Sequence, residues 1–431
     1  MQPGARLEAA ISILHEIMER GRGASVTLAD WGRSNRFAGS ADRAWIGNLV
    51  YDALRRKQSL AYLMQSESPR AIALAALHHS WGVSLQEIRA LCSGERFSPQ
   101  PLTAEEETNI ANADLTEAAP WIKGNYPDWL QASFSKAFGE EGDKEGDALS
   151  SRAPVDLRVN TLKATREKLL KAFARHSPIE TPYSPLGVRL AAREGGARTP
   201  NVEADPAHGR GWFEVQDEAS QIAALLAGPE PRMQVADICA GAGGKTLALS
   251  AQMQNTGQIY AYDSDPIRFR PIFERLKRAG ARNVQTLPPG QQAALEALSE
   301  KMDLVLIDAP CSGSGVWRRR PDAKWRLTTQ QLSARVAVQQ ELLGKAAGLV
   351  KAGGTIAYVT CSVLPEENED QAEAFLAKHP EFSAADAFEH ARKVLSCPLR
   401  PQPQRIGLQL TPAQHGTDGF YIALLRKNSA S

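Results

Sequence analysis

Between Pro231 and Thr360 the chain repeats one pattern, a short apolar run followed by a stretch with helical spacing. The runs are Gln234–Cys239, Gln258–Asp263, Asn283–Leu287, Asp303–Asp308 and Thr355–Thr360. Strands buried on both faces read as nearly continuous apolar runs, and strands that alternate with helices build a parallel sheet covered on both sides. Residues 231–431 are therefore expected to form an α/β, Rossmann-like sheet, with Pro266–Ala279 and Thr329–Val350 among its crossover helices. Beyond the last run, Ile406–Leu410 and Gly419–Arg426 flank the turn-rich HGTDG, which predicts an antiparallel hairpin.

The rest of the chain, 431 residues in all, is too long to belong to that sheet. Residues 1–138 carry helical periodicity, with Ala9, Ile13 and Ile17 on one face and Leu49, Tyr51 and Leu54 on another. Ser40 is placed to cap a long amphipathic helix running through ADRAWIGNLVYDALRRKQSLAYLM. Residues 139–152 (GEEGDKEGDALSSR) have no apolar period and are expected to be a linker. A small α/β module follows over 153–230, with strands at Val155–Thr161, Gly187–Leu190 and Trp212–Val215 and helices at Ala164–His176 and Glu218–Ala227.

Several classes fall on composition. No apolar run approaches the roughly 20 residues of a membrane-spanning helix. The five cysteines are scattered, with no C-x-x-C pair, so neither a disulfide framework nor a zinc site is expected and the compartment is predicted to be the reducing cytoplasm. Lys+Arg 50 against Asp+Glu 49 leaves +1, so any nucleic-acid contact must come from local clusters. Two exist: Arg55-Arg56-Lys57, and Arg318-Arg319-Arg320 with Lys324 and Arg326.

The first strand runs into Cys239-Ala240-Gly241-Ala242-Gly243-Gly244-Lys245-Thr246. Glycines there let the backbone turn tightly and bring a ligand to a helix N-terminus. A Walker A loop needs glycine where Cys239 stands, and a dinucleotide fingerprint needs its third glycine where Thr246 stands. The form Asp237-x-x-Ala240-Gly241-x-Gly243 instead resembles the S-adenosylmethionine loop of Rossmann-like methyltransferases, with Asp263 at the end of the second strand for the ribose hydroxyls.

Two further strands end on cysteines, in Asp308-Ala309-Pro310-Cys311-Ser312-Gly313-Ser314-Gly315 and in Thr360-Cys361-Ser362. Ligands of open α/β sheets bind outside the carboxyl ends of the strands, so both thiols and Asp308 should face the glycine loop. Cys92 and Cys397 have no such setting and read as ordinary cysteines.

DICAGAGGKT, DAPCSGSG and YVTCSVLPEENEDQ, with LRVNTLK upstream and HGTDGFYIALL near the end, closely resemble the RNA cytosine-5 methyltransferases of the Sun/Fmu type over about 154–428. FAGSADRAWIGNLVYDALRR resembles, more weakly, the NusB-like RNA-binding domain attached to bacterial members. The resemblance implies S-adenosylmethionine as cofactor, held by 239–245, Asp263 and Asp308, and no metal. It implies Cys361 as the nucleophile at C6 of cytosine and Cys311 as the thiol that assists release, with Asp308 at the base edge and Lys245 at the cofactor's carboxylate or another charge of the site. DNA cytosine-5 methyltransferases carry their nucleophile at the Pro-Cys position, so the presence of Cys361 favours RNA.

The family's usual acidic residue after the third strand is missing from Leu287-Pro288-Pro289-Gly290-Gln291, leaving Gln285, Gln291 or a backbone carbonyl to meet the adenine. The Trp- and Arg-rich stretch 315–326 suits phosphate contacts and stacking on an unpaired base, through Arg318, Arg319, Arg320, Lys324 and Arg326. Ribosomal RNA is the expected substrate. Transfer RNA, a catalytically silent assembly factor on the same fold and an NAD-dependent oxidoreductase are the rival readings.

Overall fold

The computed structural model describes residues 1–112, 114–290, 292–399 and 406–429. They form two compact units. The first holds Met1–Ala153, Ala192–Thr199 and Val316–Leu327, and the second holds Pro154–Ala191, Pro200–Gly315 and Thr328–Ser431. These compact units are drawn differently from the expected domains. The small α/β module and the large sheet share a unit, and the basic stretch after Gly315 is counted with the helices.

The first unit is helical around Leu7, Leu14, Ile46, Leu49, Ile72 and Leu74, all fully buried. The expected long helix is broken into Ser40–Arg55 and Lys57–Met64 at Arg56, whose backbone leaves the helical region. Its N-cap is Gly39, whose N–H donates to the Asp42 carboxylate at 3.3 Å, so Ser40 lies one residue inside. The expected linker is ordered secondary structure. Gly139–Glu141 is a 3-10 turn and Gly142–Ala148 a helix, with Glu145 and Gly146 buried.

In the second unit, β1 (Val155–Val159), β2 (Ile179–Glu180), β3 (Gly187–Leu190) and β4 (Phe213–Val215) form an antiparallel sheet in the order β2-β3-β1-β4. The helix Arg166–Ala172 covers it through Leu169, which packs with Leu157, Val188 and Phe213. The large sheet follows, with β5 (Gln234–Asp237), β6 (Gln258–Tyr262), β7 (Val284–Leu287), β8 (Met302–Asp308), β9 (Val350–Thr360), β10 (Phe382–Ala385), β11 (Leu408–Leu410) and β12 (Phe420–Lys427). Its order is β10-β12-β9-β8-β5-β6-β7, with β11 beside β12. Strands β5 to β9 are parallel, and β12 runs antiparallel to β9, β10 and β11.

The fold is a Rossmann-like sheet, and the chain order reverses between β5 and β8. That switch point is where such sheets bind ligands. The predicted hairpin is present, but its second strand is also built into the sheet, and β10 has no strong sequence signal. The helix expected over Pro266–Ala279 is split into Pro266–Phe269 and Ile272–Ala279, because Pro271 has no N–H to continue it.

Candidate active site

The glycine loop leaves β5 and enters the helix Gly244–Gln252 with Gly243 at φ 84°. A Cβ at Gly243 would lie 2.6 Å from Ile272 Cγ1, so both conformation and space require glycine. Asp263 is buried, and its carboxylate ties the loop down by accepting from Gly241 N at 2.8 Å and from Asp265 N at 2.8 Å. Each oxygen keeps a lone pair for a further donor.

Two arginines hold the loop from outside. Arg158 donates to Gly244 O at 2.8 Å and Arg275 donates to Ala242 O at 2.8 Å. Arg275 is itself fixed by Glu214 of β4 at 2.8 Å, so the small sheet supports the loop.

Beside the loop lies a cavity of about 300 Å³, lined by Cys239, Asp263, Arg268, Leu295, Pro310 and Leu342 among others. Among the described residues no side chain meets Oδ1 of the buried Asp237, whose other oxygen accepts from Thr246 Oγ1 at 2.7 Å. Burial pushes the Asp237 carboxyl up to about 7. A carboxylate oxygen that no side chain meets, at a glycine loop, suits the ammonium of an amino-acid moiety, and Asp263 on the cavity wall suits ribose hydroxyls. The residues present therefore fit S-adenosylmethionine. Gln285 is exposed on β7 and does not line the cavity, whose nearby wall is apolar at Leu295 and Leu342. Gln291 lies outside the described residues.

The two thiols meet because β8 and β9 are parallel neighbours with Asp308 opposite Val359. Cys361 follows directly on β9, Cys311 comes three residues after β8, and their sulfurs lie 3.4 Å apart. Both are partly exposed, while Cys239 and Cys92 are buried. Asp308 pairs with Lys245 at 2.7 Å, with Asp308 partly exposed and Lys245 almost wholly buried near the Phe420 ring.

The exit loops are locked together. Gly315 N donates to Cys361 O at 3.0 Å, and Gly419 N donates to Gly315 O at 2.8 Å. A Cβ on Gly315 would come within 2.0 Å of Gly419 O, and one on Gly419, which ends the HGTDG turn, would lie 2.5 Å from Val363 Cγ1 and 2.7 Å from Gly315 Cα, so the close approach requires glycine at both positions. These glycine pairings, and the Ser314 Oγ to Ser362 Oγ contact at 2.9 Å beside them, were not legible as parts of a site. Their only signal is the alternation of Ser and Gly in CSGSG and the Ser that follows Cys361.

A family model for the 16S rRNA methyltransferase RsmB/F matches residues 223–426, and one for the RsmF/B-like ferredoxin-like domain matches residues 126–194. The probable ribosomal RNA small subunit methyltransferase B of Synechocystis is 33% identical over 312 residues, covering 70% of this chain and 67% of the relative. The chain belongs to the RsmB/F family of 16S rRNA methyltransferases. A Vibrio vulnificus ribosomal RNA small subunit methyltransferase B matches at 28% identity over 98% of this chain and 99% of its own. The solved structure of PH0851 superposes over 99% of both chains, with TM-score 0.74 and 26% identity. A methyltransferase homolog from Pyrococcus horikoshii covers 72% of this chain and 97% of its own, with TM-score 0.58 and 26% identity. As an RsmB/F protein the chain is an S-adenosylmethionine-dependent methyltransferase acting on ribosomal RNA.

The basic stretch expected as an exposed RNA contact is only partly so. In the helical unit Trp317 and Lys324 are 1% exposed and Arg318 4% exposed. Lys324 Nζ donates to Arg55 O and to Ser150 Oγ, each at 2.9 Å, and Trp325 Nε1 donates to Leu54 O at 2.6 Å. Burial, then Arg56 and Arg55, pushes the Lys324 ammonium well below its ordinary range. Lys324 and Arg318 therefore build the fold and are withdrawn from the expected RNA contacts. Arg320 and Arg326 are exposed, and Arg319 is half-buried. No helix among the described residues is long and apolar enough to cross a membrane, and no cluster of His, Cys, Asp and Glu there has metal-site geometry.

Proposed function

We propose that this protein methylates C5 of an unpaired cytosine in small-subunit ribosomal RNA through a covalent adduct with Cys361. The observation that carries the reading is the pair of partly exposed thiols at neighbouring strand exits, 3.4 Å apart and beside Asp308. Carbon 5 of cytosine is a weak nucleophile. Addition of the Cys361 thiolate to C6 forms a C–S bond, opens the C5–C6 double bond and shifts the electron pair toward C4–C5, which makes C5 enamine-like and splits one difficult step into easier ones. Bound S-adenosylmethionine supplies the methyl group to C5. A base then removes the C5 proton, and the electron pair returns to expel Cys361 as thiolate.

Asp308, held by Lys245, meets the N3/N4 edge of the base, and Cys311 assists the release. The target base must leave any stack to reach strand exits, so an unpaired or flipped cytosine is required. The cytoplasm, where ribosomal RNA is modified and thiols stay reduced, is the proposed compartment.

The order of steps gives the test. Cys361→Ala should abolish both methyl transfer and any covalent complex, because nothing attacks C6. Cys311→Ala should allow attack but slow breakdown, so a protein–RNA species stable on a denaturing gel accumulates. A durable adduct in Cys361→Ala alone would reverse the roles.

A further inference from the structure

One buried carboxylate is not used by that chemistry, yet it touches both cysteine loops. Glu367 is fully buried, two residues past the Pro365 that follows the Thr-Cys strand. Proline at 365 suits the opening of a helix, but Pro365–Glu367 is a 3-10 turn and the helix begins at Glu369. The turn points the side chain back toward β8. Its Oε1 accepts from Ser312 N at 2.7 Å and from Gln339 Nε2 at 3.2 Å, and its Oε2 accepts from Ser312 Oγ at 2.5 Å. Ser362, next to Cys361, joins the same cluster through Ser312 Oγ at 3.4 Å and Ser314 Oγ at 2.9 Å. Gln339 Nε2 additionally reaches Pro310 O at 3.0 Å, and Tyr358 OH donates to Glu367 O at 2.6 Å.

Every side-chain contact made by this carboxylate is with a donor, the arrangement that favours its ionised form. Burial leaves the Glu367 carboxyl above its ordinary range, and the donors from Ser312 and Gln339 limit that rise. The negative charge is tied to Ser312, the neighbour of Cys311.

We propose that Glu367 is the positioning residue that makes the two thiols unequal: it clamps the Cys311 loop against Cys361 and reserves the role of nucleophile for Cys361. This rests on the two-cysteine reading above. Two sulfurs at 3.4 Å cannot both carry charge at little cost, so the site must favour one. Among the groups around Cys311, Cys361 and Glu367 stand on the β9 exit, Tyr358 on β9 itself, and Asp308 at the end of β8, paired with Lys245 of the helix Gly244–Gln252. The hydrogen bond with Cys361 comes first, then burial, then the charges of Cys361 and Glu367; together they push the Cys311 thiol well above its ordinary range, and only the Gly313 N–H opposes them. Glu367 is thus a fixed charge that works against a thiolate at 311.

The test reads thiol chemistry without RNA, so it stands or falls apart from the methylation reading. Full-length protein is alkylated with iodoacetamide across a range of pH, and modification of each cysteine is followed by peptide mass spectrometry. Glu367→Gln keeps the shape and most of the hydrogen bonds but removes the charge. In a Cys361→Ala background it should raise the alkylation rate of Cys311 at neutral pH severalfold. Glu367→Asp, which keeps the charge, should retain most of the slow rate. If Glu367→Gln does not fold, Ser312→Ala in the same background decides, because it removes the Ser312 Oγ contact at 2.5 Å through which Glu367 holds the Cys311 loop, and Cys311 should again be alkylated faster. A Cys311 rate unchanged by Glu367→Gln, or by Ser312→Ala where the former does not fold, overturns the proposal.

Discussion

Asp263 and Asp237 are both buried carboxylates at the glycine loop, and their partners give them opposite tasks. Asp263 is held by two backbone N–H groups and faces the cavity. Asp263→Ala should weaken S-adenosylmethionine binding by about 1–3 kcal/mol, through the absence of charged hydrogen bonds and a loosened loop. Titration calorimetry on the folded variant reads this directly. Asp237 has one oxygen that no side chain among the described residues meets, and its carboxyl is raised to about 7 against an unfolded value near ~3.9. Between those values the folded chain holds a proton that the unfolded chain has released. Stability from this residue is therefore complete below the lower value and is lost as pH rises through the upper one. In cofactor-free protein, Asp237→Asn should flatten the fall in urea-unfolding stability between about pH 4 and 7. An equally steep fall in the variant would mean that another group titrates there.

At the scale of elements, the loop between β5 and its helix is the least tolerant segment of the sheet. Gly243→Ala must place a Cβ 2.6 Å from Ile272 at φ 84°, so the loop has to move. The expected result is loss of S-adenosylmethionine binding, together with a destabilisation of about 1 kcal/mol or more from the left-handed backbone alone. Calorimetry and thermal unfolding measure the two separately. This loop, the five parallel strands and the paired cysteines were legible because each depends on local pattern: apolar runs, glycine spacing, a cysteine closing a strand. The supports of the site were not. Glu367, Gln339, Arg158 and Arg275 act across 28 to 86 residues of chain, and nothing in their neighbourhoods announces the partner. The helix breaks at Arg56 and Pro271 differ in kind. Proline at 271 could have been read as a stop, whereas Arg56 breaks a stretch whose residues all suit a helix.

For the whole molecule, the stretch after Gly315 shows how composition misleads about place. Its tryptophans and cations look like a nucleic-acid surface, yet Trp317 and Lys324 are core residues of the helical unit. Only Arg320 and Arg326 are exposed, and Arg326 is paired with Asp322 at 2.8 Å. Replacing both with alanine should lower the slope of log affinity for ribosomal RNA against log salt by up to ~0.7–0.9 for each phosphate that is no longer neutralised, with cofactor affinity unchanged. An unaltered slope in filter binding would remove them from the RNA surface.

Trp317 gives the complementary prediction, because its contribution is packing. Its ring stacks on Phe134 at 6.3 Å, Phe134 in turn stacks on Tyr126 at 3.9 Å, and the Lys324 ammonium lies 5.8 Å from the indole. Trp317→Ala should cost about 3–5 kcal/mol, the usual range for emptying an aromatic site in a core. The indole N–H, however, is buried with no acceptor, a burden on the order of 1–3 kcal/mol. Phenylalanine at 317 fills most of the same space and has no such group, so Trp317→Phe should lie within about 1.5 kcal/mol of the native protein. Urea unfolding of the full chain, followed by a probe of the helical unit, separates the two cases. If Trp317→Phe proves as costly as Trp317→Ala, the N–H is satisfied in solution and the stretch is held by a polar contact in addition to its packing.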